Sequence, residues 1–346
     1  MGQPGFFDHD KRLAALSEKG DPLEAINAVV PWEIFRGSIE AVVLTPASER
    51  KSNAGRKPLD AVLKFKMLVL QSLYNLSDEQ VEYQVRDRLS FARFLGLRLE
   101  DTVPDATSLW LFREALAKAG LIETLFAQFE QTLATNGYIA RGGQIIDATI
   151  VAVPKQRNDR GENKDIKAGE VPAAWKTEPN KLAQKDCDAR WTKKHGRSYF
   201  GYKNHINVDA RYKLIRRYGV SDASVHDSRE FNCLLDKTNT SRNVFADSAY
   251  RSADIEAALK VQGLKSRIHR RATRSHPLSA VQEKANRKRS QVRARIEHVF
   301  GAQQTSLGGR LVRTIGLMRA KAKIGLQNLV YNIRRMIAIE RNAAAA

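Results

Sequence analysis

The sequence predicts two parts: an all-helical N-terminal block, then an α/β core in which a mixed sheet is flanked by helices. Three observations carry this expectation. Apolar residues recur at helical spacing from about residue 58 to residue 135. The period changes at Gly142-Gly143, after which Gln144 to Val153 is β-rich and largely apolar, as a buried strand is. The charge divides at the same place. Residues 1–150 hold 17 Lys+Arg and 20 Asp+Glu, a net of −3, whereas residues 151–346 hold 41 and 18, a net of +23, together giving the total of +20.

Composition narrows the function classes. At 42% hydrophobic and 28% charged the chain is globular and can bury a real core. No run approaches eighteen apolar residues, so a transmembrane helix is not expected. Met1 to Asp10 has neither a basic nor an apolar signal region, and the two cysteines, Cys187 and Cys233, form no CxxC pair. A reducing, cytoplasmic setting follows, without a structural zinc site. The basic half reads as a nucleic-acid surface, because its charges are spread and not gathered on one amphipathic, membrane-seeking helix.

Taken in order, Pro22, Pro31 and Pro46 punctuate short apolar patches, and Ser52-Asn53-Ala54-Gly55 is a turn or linker. Pro58 is suited to the first position of a helix carrying Val62, Leu63, Phe65, Leu68 and Leu70. Ser77 and Gln80 form a capping box for a second helix. Asp105 caps a third, about Thr107 to Ala119, and a fourth follows Gly120 and ends near Asn136-Gly137. Short loops suggest a compact bundle with room for a helix-turn-helix. Residues 154–198 have no period and few apolar anchors besides Trp175, Leu182 and Trp191, and read as a basic insertion. Tyr199 to Val208 and Lys213 to Val220 form a hairpin, Asp227 to Leu235 a short helix, and Asn243 to Asp247 an apolar strand ending on an acid. A helix from Ser252, a last strand at Lys265 to His269, a long helix over 281–304 and a basic amphipathic helix from Leu317 to Ile339 complete the chain.

Three acids stand out against this background. Asp147 lies inside an apolar strand, where an unpaired carboxylate is costly. Asp247 ends a strand, where open α/β sheets place ligand groups. Glu297 is the sole acid between Glu283 and Glu340, an interval with thirteen Lys and Arg. Its simplest partner is Arg293, one helical turn back, in a pair worth about 0.2–0.5 kcal/mol. Three converging carboxylates would instead bind hard divalent cations. Asp227, between a strand and a helix, is expected to be an N-cap.

Several segments together resemble the DDE transposases of bacterial insertion sequences, in particular the insertion sequence five family: Ile146-Asp147-Ala148-Thr149, Tyr202-Lys203-Asn204-His205, Ser224-Val225-His226-Asp227-Ser228, Ala246-Asp247-Ser248-Ala249-Tyr250 and Arg293-Ala294-Arg295-Ile296-Glu297. Val103-Pro104-Asp105-Ala106-Thr107 with Phe112-Arg113 is similar to the family's N-terminal region. The resemblance implies a ribonuclease H-like core. It makes Asp147, Asp247 and Glu297 the catalytic acids and the ligands of two Mg²⁺ ions, with Mn²⁺ as the alternative. The chain departs from the pattern Y-x2-R-x3-E-x6-K: Arg293 and Glu297 match, but Ser290 and Gln304 stand where Tyr and Lys would be. The domains implied are a helical DNA-binding or dimerisation domain at 1–140, a catalytic domain at 141–310 with its insertion at 154–198, and a basic C-terminal helix at 311–346. Arg293, Lys203, Arg287, Lys288 and Arg289 are candidate contacts to double-stranded DNA. A homodimer would pair two element ends in the bacterial cytoplasm, at the nucleoid. A nuclease of the same fold without strand transfer, or a domesticated DNA-binding protein, remain as alternatives.

Overall fold

The computed structural model describes residues 7–45, 58–194, 196–273, 277–309 and 311–344. The chain forms two units, Met1–Gln128 with Ile333–Ala346, and Phe129–Asn332. The first is helical: α1 (Asp8–Glu18), α2 (Pro22–Val29), α3 (Arg36–Val43), α4 (Ala61–Tyr74), α5 (Asp78–Asp87), α6 (Leu89–Leu95), α7 (Ala106–Lys118) and the start of α8 (Leu121–Thr135). Its core is aromatic. Phe35 stands edge-on to Phe65 at 5.0 Å and Trp32 to Phe94 at 5.6 Å, all four buried. Arg113 forks onto both carboxylate oxygens of Asp78 at 2.5 and 2.8 Å, which ties α7 to the start of α5.

Local capping explains where these helices begin. The Ser77–Gln80 capping box forms, and Asp105 accepts the Ser108 N–H at 2.7 Å. Pro58 does not open α4 as expected. Asp60 caps that helix by accepting from Leu63 N–H at 2.8 Å, and helical geometry begins at Ala61. The expected linker Ser52 to Gly55 lies outside the described residues.

The second unit is built on a six-stranded sheet. Its elements after α8 are β1 (Gln144–Ala152), α9 (Arg160–Ala168), α10 (Ala173–Lys176), α11 (Pro179–Ala183), β2 (Arg190–Lys194), β3 (Arg197–Asp209), β4 (Ile215–Asp222), α12 (Phe231–Leu234), β5 (Asn243–Phe245), α13 (Ala253–Val261), β6 (Lys265–Ser266), α14 (Ala280–Ser306) and α15 (Leu317–Ala344), whose end belongs to the first unit. β3 pairs antiparallel with β1, with β4 and, through its first residues, with β2. β5 runs parallel to β1, and β6 parallel to β5. This is the mixed sheet with flanking helices that the change of period predicted. Gly201, at the crossing of β1, β2 and β3, has φ +152°, and a Cβ there would stand 2.2 Å from the Val151 carbonyl oxygen.

The stretch 154–198 is more ordered than its composition suggested. Asp159 and Glu162 form a capping box that starts α9, and the Trp175 indole, fully buried, donates to Glu162 at 2.6 Å. Asp186 is the anchor. It accepts from the Tyr202 hydroxyl at 2.7 Å and from the N–H of Gly316 at 3.1 Å, while Asp188 accepts from the N–H of Leu317, the first residue of α15. Trp191 alone of the two tryptophans is half exposed.

Buried amides fasten the two long helices to the sheet. Asn204 on β3 and Asn328 on α15 exchange hydrogen bonds at 2.9 and 3.1 Å, and Gln303 on α14 donates to the same Asn328 at 2.6 Å. Asn332 pairs with both the N–H and the carbonyl of Ile215 on β4. Each buried polar group is matched within this network, so mispairing any element would strand an amide without water.

His205, also on β3, is buried with Nε2 at 2.8 Å from the Ser221 hydroxyl. Burial lowers its pKa to about 4. Between about pH 6.5 and 4 the unfolded histidine takes up a proton and the folded one does not, so stability falls as pH falls through this window. The loss is on the order of 3 kcal/mol at its full extent. Urea denaturation near pH 7 and near pH 5 should show this slope in the wild type and a shallower one in His205→Gln; equal slopes would remove His205 as its source.

Candidate active site

The parallel pairing of β1 with β5 sets the geometry. Ile145 pairs with Phe245 in register; Asp147 lies two residues further along β1, and Asp247 two residues past the end of β5. Neighbouring strands are about 4.8 Å apart, which brings the two carboxylates to one edge. Asp147 is largely covered, and one of its oxygens accepts the Ala148 N–H at 2.8 Å. Asp247 follows β5 and caps the 3₁₀ turn Ser248–Tyr250, accepting from the Ala249 N–H at 2.5 Å. Burial pushes the Asp147 carboxyl above its ordinary range, the Arg293 guanidinium opposes that, and the Asp247 charge adds to it.

α14 lies across this edge. Its buried stripe is Ile296, Val299, Phe300 and Gln303. A second stripe, Arg293, Glu297 and Gln304, falls within about 40° of one helical direction, given 100° per residue. Two of these reach β1: Arg293 Nη2 meets the second oxygen of Asp147 at 2.8 Å, and Gln304 donates to the Thr149 hydroxyl at 3.1 Å. Glu297 stands between them, exposed. The Arg293–Glu297 pair considered from sequence does not form; Arg293 is taken by Asp147. Among the described residues no three His, Cys, Asp or Glu side chains stand close enough together to hold a metal ion. The edge thus brings Asp147 and Asp247 together, with Glu297 on the neighbouring helix face.

The donor chemistry fits a hard divalent cation: two adjacent carboxylates, all-oxygen, beside a third carboxylate on an exposed stripe. Mg²⁺ keeps several waters and asks for only one or two carboxylates, so a pair at a solvent edge suffices for one ion. Arg293 supplies the compensating positive charge in the arrangement seen here.

The other candidates take different positions. Lys203 is mostly covered, and its ammonium lies 2.8 Å from Asp227 and donates to the Val225 carbonyl at 2.6 Å. Asp227 is therefore not the N-cap expected; His226 accepts the Ser228 N–H in that role, at 3.3 Å. A lysine on the adjacent strand outcompetes the local turn for this carboxylate. Arg287 and Lys288 are exposed on α14, and Arg289 donates to the Ile268 carbonyl at 2.9 Å.

Two residues at this edge had no role assigned from the sequence. Tyr250 is 1% exposed and its hydroxyl has no hydrogen-bond partner among the described residues, while the charges of Asp147, Asp227 and Asp247 all act on it. The Asp247-x-x-Tyr250 spacing was its only signal. His269 donates its N–H to the Ala246 carbonyl and its ring lies 3.4 Å from the Ser290 hydroxyl. Burial, helped by Arg293, holds its pKa below the usual histidine range. Ser290, at the position where related sequences carry Tyr, thus has a partner in this chain.

A double-mutant cycle tests the pair at the centre of the edge. Arg293→Met alone should destabilise by about 1–3 kcal/mol, since it leaves a covered carboxylate unpaired. The same change in an Asp147→Asn background should cost far less. Additive effects in thermal and urea denaturation would show that the two residues do not interact.

The comparisons fall on both units. A transposase domain family (DUF772) matches residues 11–115, and the transposase DDE domain family matches residues 140–333. Among solved structures, the chain is similar to the piggyBac transposase synaptic complex with hairpin DNA, at 11% identity over 93% of this chain and 74% of that one, with a TM-score of 0.44. It is also similar to the Mos1 strand transfer complex, at 9% identity over 84% and 81%, with a TM-score of 0.24. Matched over more than half of its length, the chain belongs to the transposase DDE domain family, which makes it a DNA phosphoryl-transfer enzyme.

Proposed function

We propose that the protein is an insertion-sequence transposase that cuts DNA at the element ends and joins the 3′ ends to target DNA, with Asp147, Asp247 and Glu297 as its acids. The observation that carries this reading is the placement of Asp147 on β1 and Asp247 just past the end of the parallel neighbour β5, each two residues beyond the paired Ile145 and Phe245, with Arg293 of the α14 stripe that also bears Glu297 on Asp147. The sheet itself supports a ribonuclease H-like core: an antiparallel β1–β3–β4 meander extended by β5 and β6 parallel to β1. Membership of the insertion sequence five family belongs to the same reading.

Asp147 with Asp247 would hold one divalent cation, and Asp147 with Glu297 a second, Mg²⁺ or Mn²⁺. When bound, such a pair supplies Lewis acidity to both oxygens of an in-line phosphoryl displacement. The chain's own residues do the rest. The Ala249 N–H fixes the Asp247 carboxylate at the edge. The Arg293 guanidinium, once its place on Asp147 is taken, is one helical turn from Glu297 and offers its N–H groups to phosphate oxygens without reading sequence. Arg287, Lys288 and Arg289 extend that positive surface along α14. In the first step a water oxygen bonds to phosphorus and the 3′-oxygen leaves as a hydroxyl. In the second, that hydroxyl attacks a target phosphodiester and displaces the target's own 3′-oxygen.

The helical unit, matched as a transposase domain over residues 11–115, would bind the terminal inverted repeats and pair two copies, since two ends must meet. The setting would be the bacterial cytoplasm, at the nucleoid.

Labelled end DNA incubated with and without Mg²⁺ tests the chemistry. Cleavage should require the cation and fall by on the order of a hundredfold or more in Asp147→Asn, Asp247→Asn or Glu297→Gln, while DNA affinity changes only severalfold. Full activity in any of these variants would remove that residue from the site. A supercoiled plasmid bearing both ends should give joined products; nicking without joining would instead identify a nuclease.

A further inference from the structure

We propose that Arg251 and Arg289 form a clamp for one backbone phosphate of the DNA, one to two nucleotides from the bond that is cut. The proposal rests on the DNA-cleaving reading of the Asp147–Asp247 edge and adds a binding site to it.

The two guanidiniums come from different elements and meet at one atom. Arg251, just after the Ser248–Tyr250 turn, donates to the Ile268 carbonyl oxygen at 3.0 Å, and Arg289 on α14 donates to the same oxygen at 2.9 Å. Their donor nitrogens are therefore no more than about 6 Å apart. Two like charges held this close call for an anion. Glu256 is 3.2 Å from Arg251 and already accepts from the Ser266 hydroxyl. Arg267 and Arg270 are exposed beside the pair and add charge of the same sign. Arg251 gives Nη1 to Ile268 and Nη2 to Glu256, and Arg289 gives Nη1 to Ile268, so one carboxylate faces two guanidiniums and the N–H groups left over suit a tetrahedral oxyanion. The crowding is strong enough to hold the Arg289 pKa below its ordinary value, after burial as the first cause.

The position follows from the backbone. The segment after β6 runs beside β5, with the N–H of His269 on the Ala246 carbonyl, one residue before Asp247. The Ile268 carbonyl thus lies at the same sheet edge as the acids. On α14, Arg289, Arg293 and Glu297 are spaced four residues apart, about 6 Å per step along the axis. Arg293 touches Asp147. A strand of DNA advances about 3.4 Å per nucleotide, so a phosphate at Arg289 is one to two nucleotides from one at Arg293. Asn286 holds this part of α14 in place by bonding both the N–H and the carbonyl of Arg270.

The test is a methylphosphonate scan. End DNA is prepared with one phosphate at a time replaced by its neutral methylphosphonate, and binding is read by fluorescence anisotropy. For the wild type, one position near the cut site should weaken binding about tenfold. Arg251→Gln/Arg289→Gln should bind unmodified DNA about tenfold more weakly, be indifferent to neutralisation at that position alone, and show a salt slope reduced by about 1. Arg251→Gln, which leaves α14 untouched, should show the same selective indifference in part. A double variant with wild-type affinity, or one that binds weakly with an unchanged scan while its thermal melt matches the wild type, would overturn the clamp. If the double variant melts early, the scan of Arg251→Gln decides: an unchanged profile overturns the clamp. Wild-type protein that binds and cuts end DNA with an unchanged scan in the variants would refute the clamp and leave the transposase reading intact. Wild-type protein that does not cut would refute that reading instead.

Discussion

The contact between Arg293 and Asp147 is the constraint on which the acidic edge of the sheet depends. A carboxylate inside an apolar strand, near a second carboxylate just past the end of the adjacent strand, is unfavourable by itself, because burial and like charge both oppose ionisation. A cation must stand beside it. In the structure that cation is a side chain from α14, so the electrostatic need of β1 fixes the rotation of a 27-residue helix. Once Arg293 faces β1, the 3.6-residue period places Glu297 and Gln304 along the same edge and turns Ile296, Val299 and Phe300 into the core.

A charged pair at a solvent edge is not enough to hold a helix that long, and the buried amides supply the rest. Gln303 and Asn328 meet Asn204 at the middle of β3, on the far side of β1 from Asp247. Amides are suited to this because each needs specific donors and acceptors, whereas aliphatic contacts would tolerate a slip of one turn. The two systems divide the labour. The neutral network sets where α14 lies, and the ion pair sets what it presents. Replacing the Arg293 contact by a divalent cation would then leave the helix position unchanged.

Sequence reasoning reached the local elements where a side chain acts on its own backbone. Ser77 with Gln80 and Asp105 were legible as caps because the partners are three residues apart, and β1 was legible from its composition. Asp147 could be placed on a strand for the same reason; the strand expected to run to Asp247 ends at Phe245, and Asp247 caps the turn that follows. What sequence reasoning missed depends on distant partners. Asp227 looked like a cap, yet Lys203 on β3 reaches it first, 24 positions earlier in the chain. Arg293 looked like a helical neighbour of Glu297, yet its partner is 146 residues away. Residues 154–198 looked structureless because their anchors are few; they are ordered through Trp175, which is fully buried, and through Asp186, whose partners lie on β3 and at Gly316.

These long-range partners also give the positive surface its structure. A net charge of +23 in one part of the chain says that a polyanion binds, but not where the charge is concentrated. Part of it is neutralised internally: Lys203 on Asp227, and Arg216 on Asp209 and Glu130. Two further arginines, Arg251 and Arg289, meet at the Ile268 carbonyl just past β6. Hydrogen bonds to a carbonyl hold a guanidinium in place without cancelling its charge, which carboxylate partners would do. The edge that carries the acids is therefore bordered by cations held in place, Arg289 on uncharged oxygens and Arg251 between a carbonyl and Glu256, and Arg289 stands from Glu297 at a spacing set by the turns of one helix.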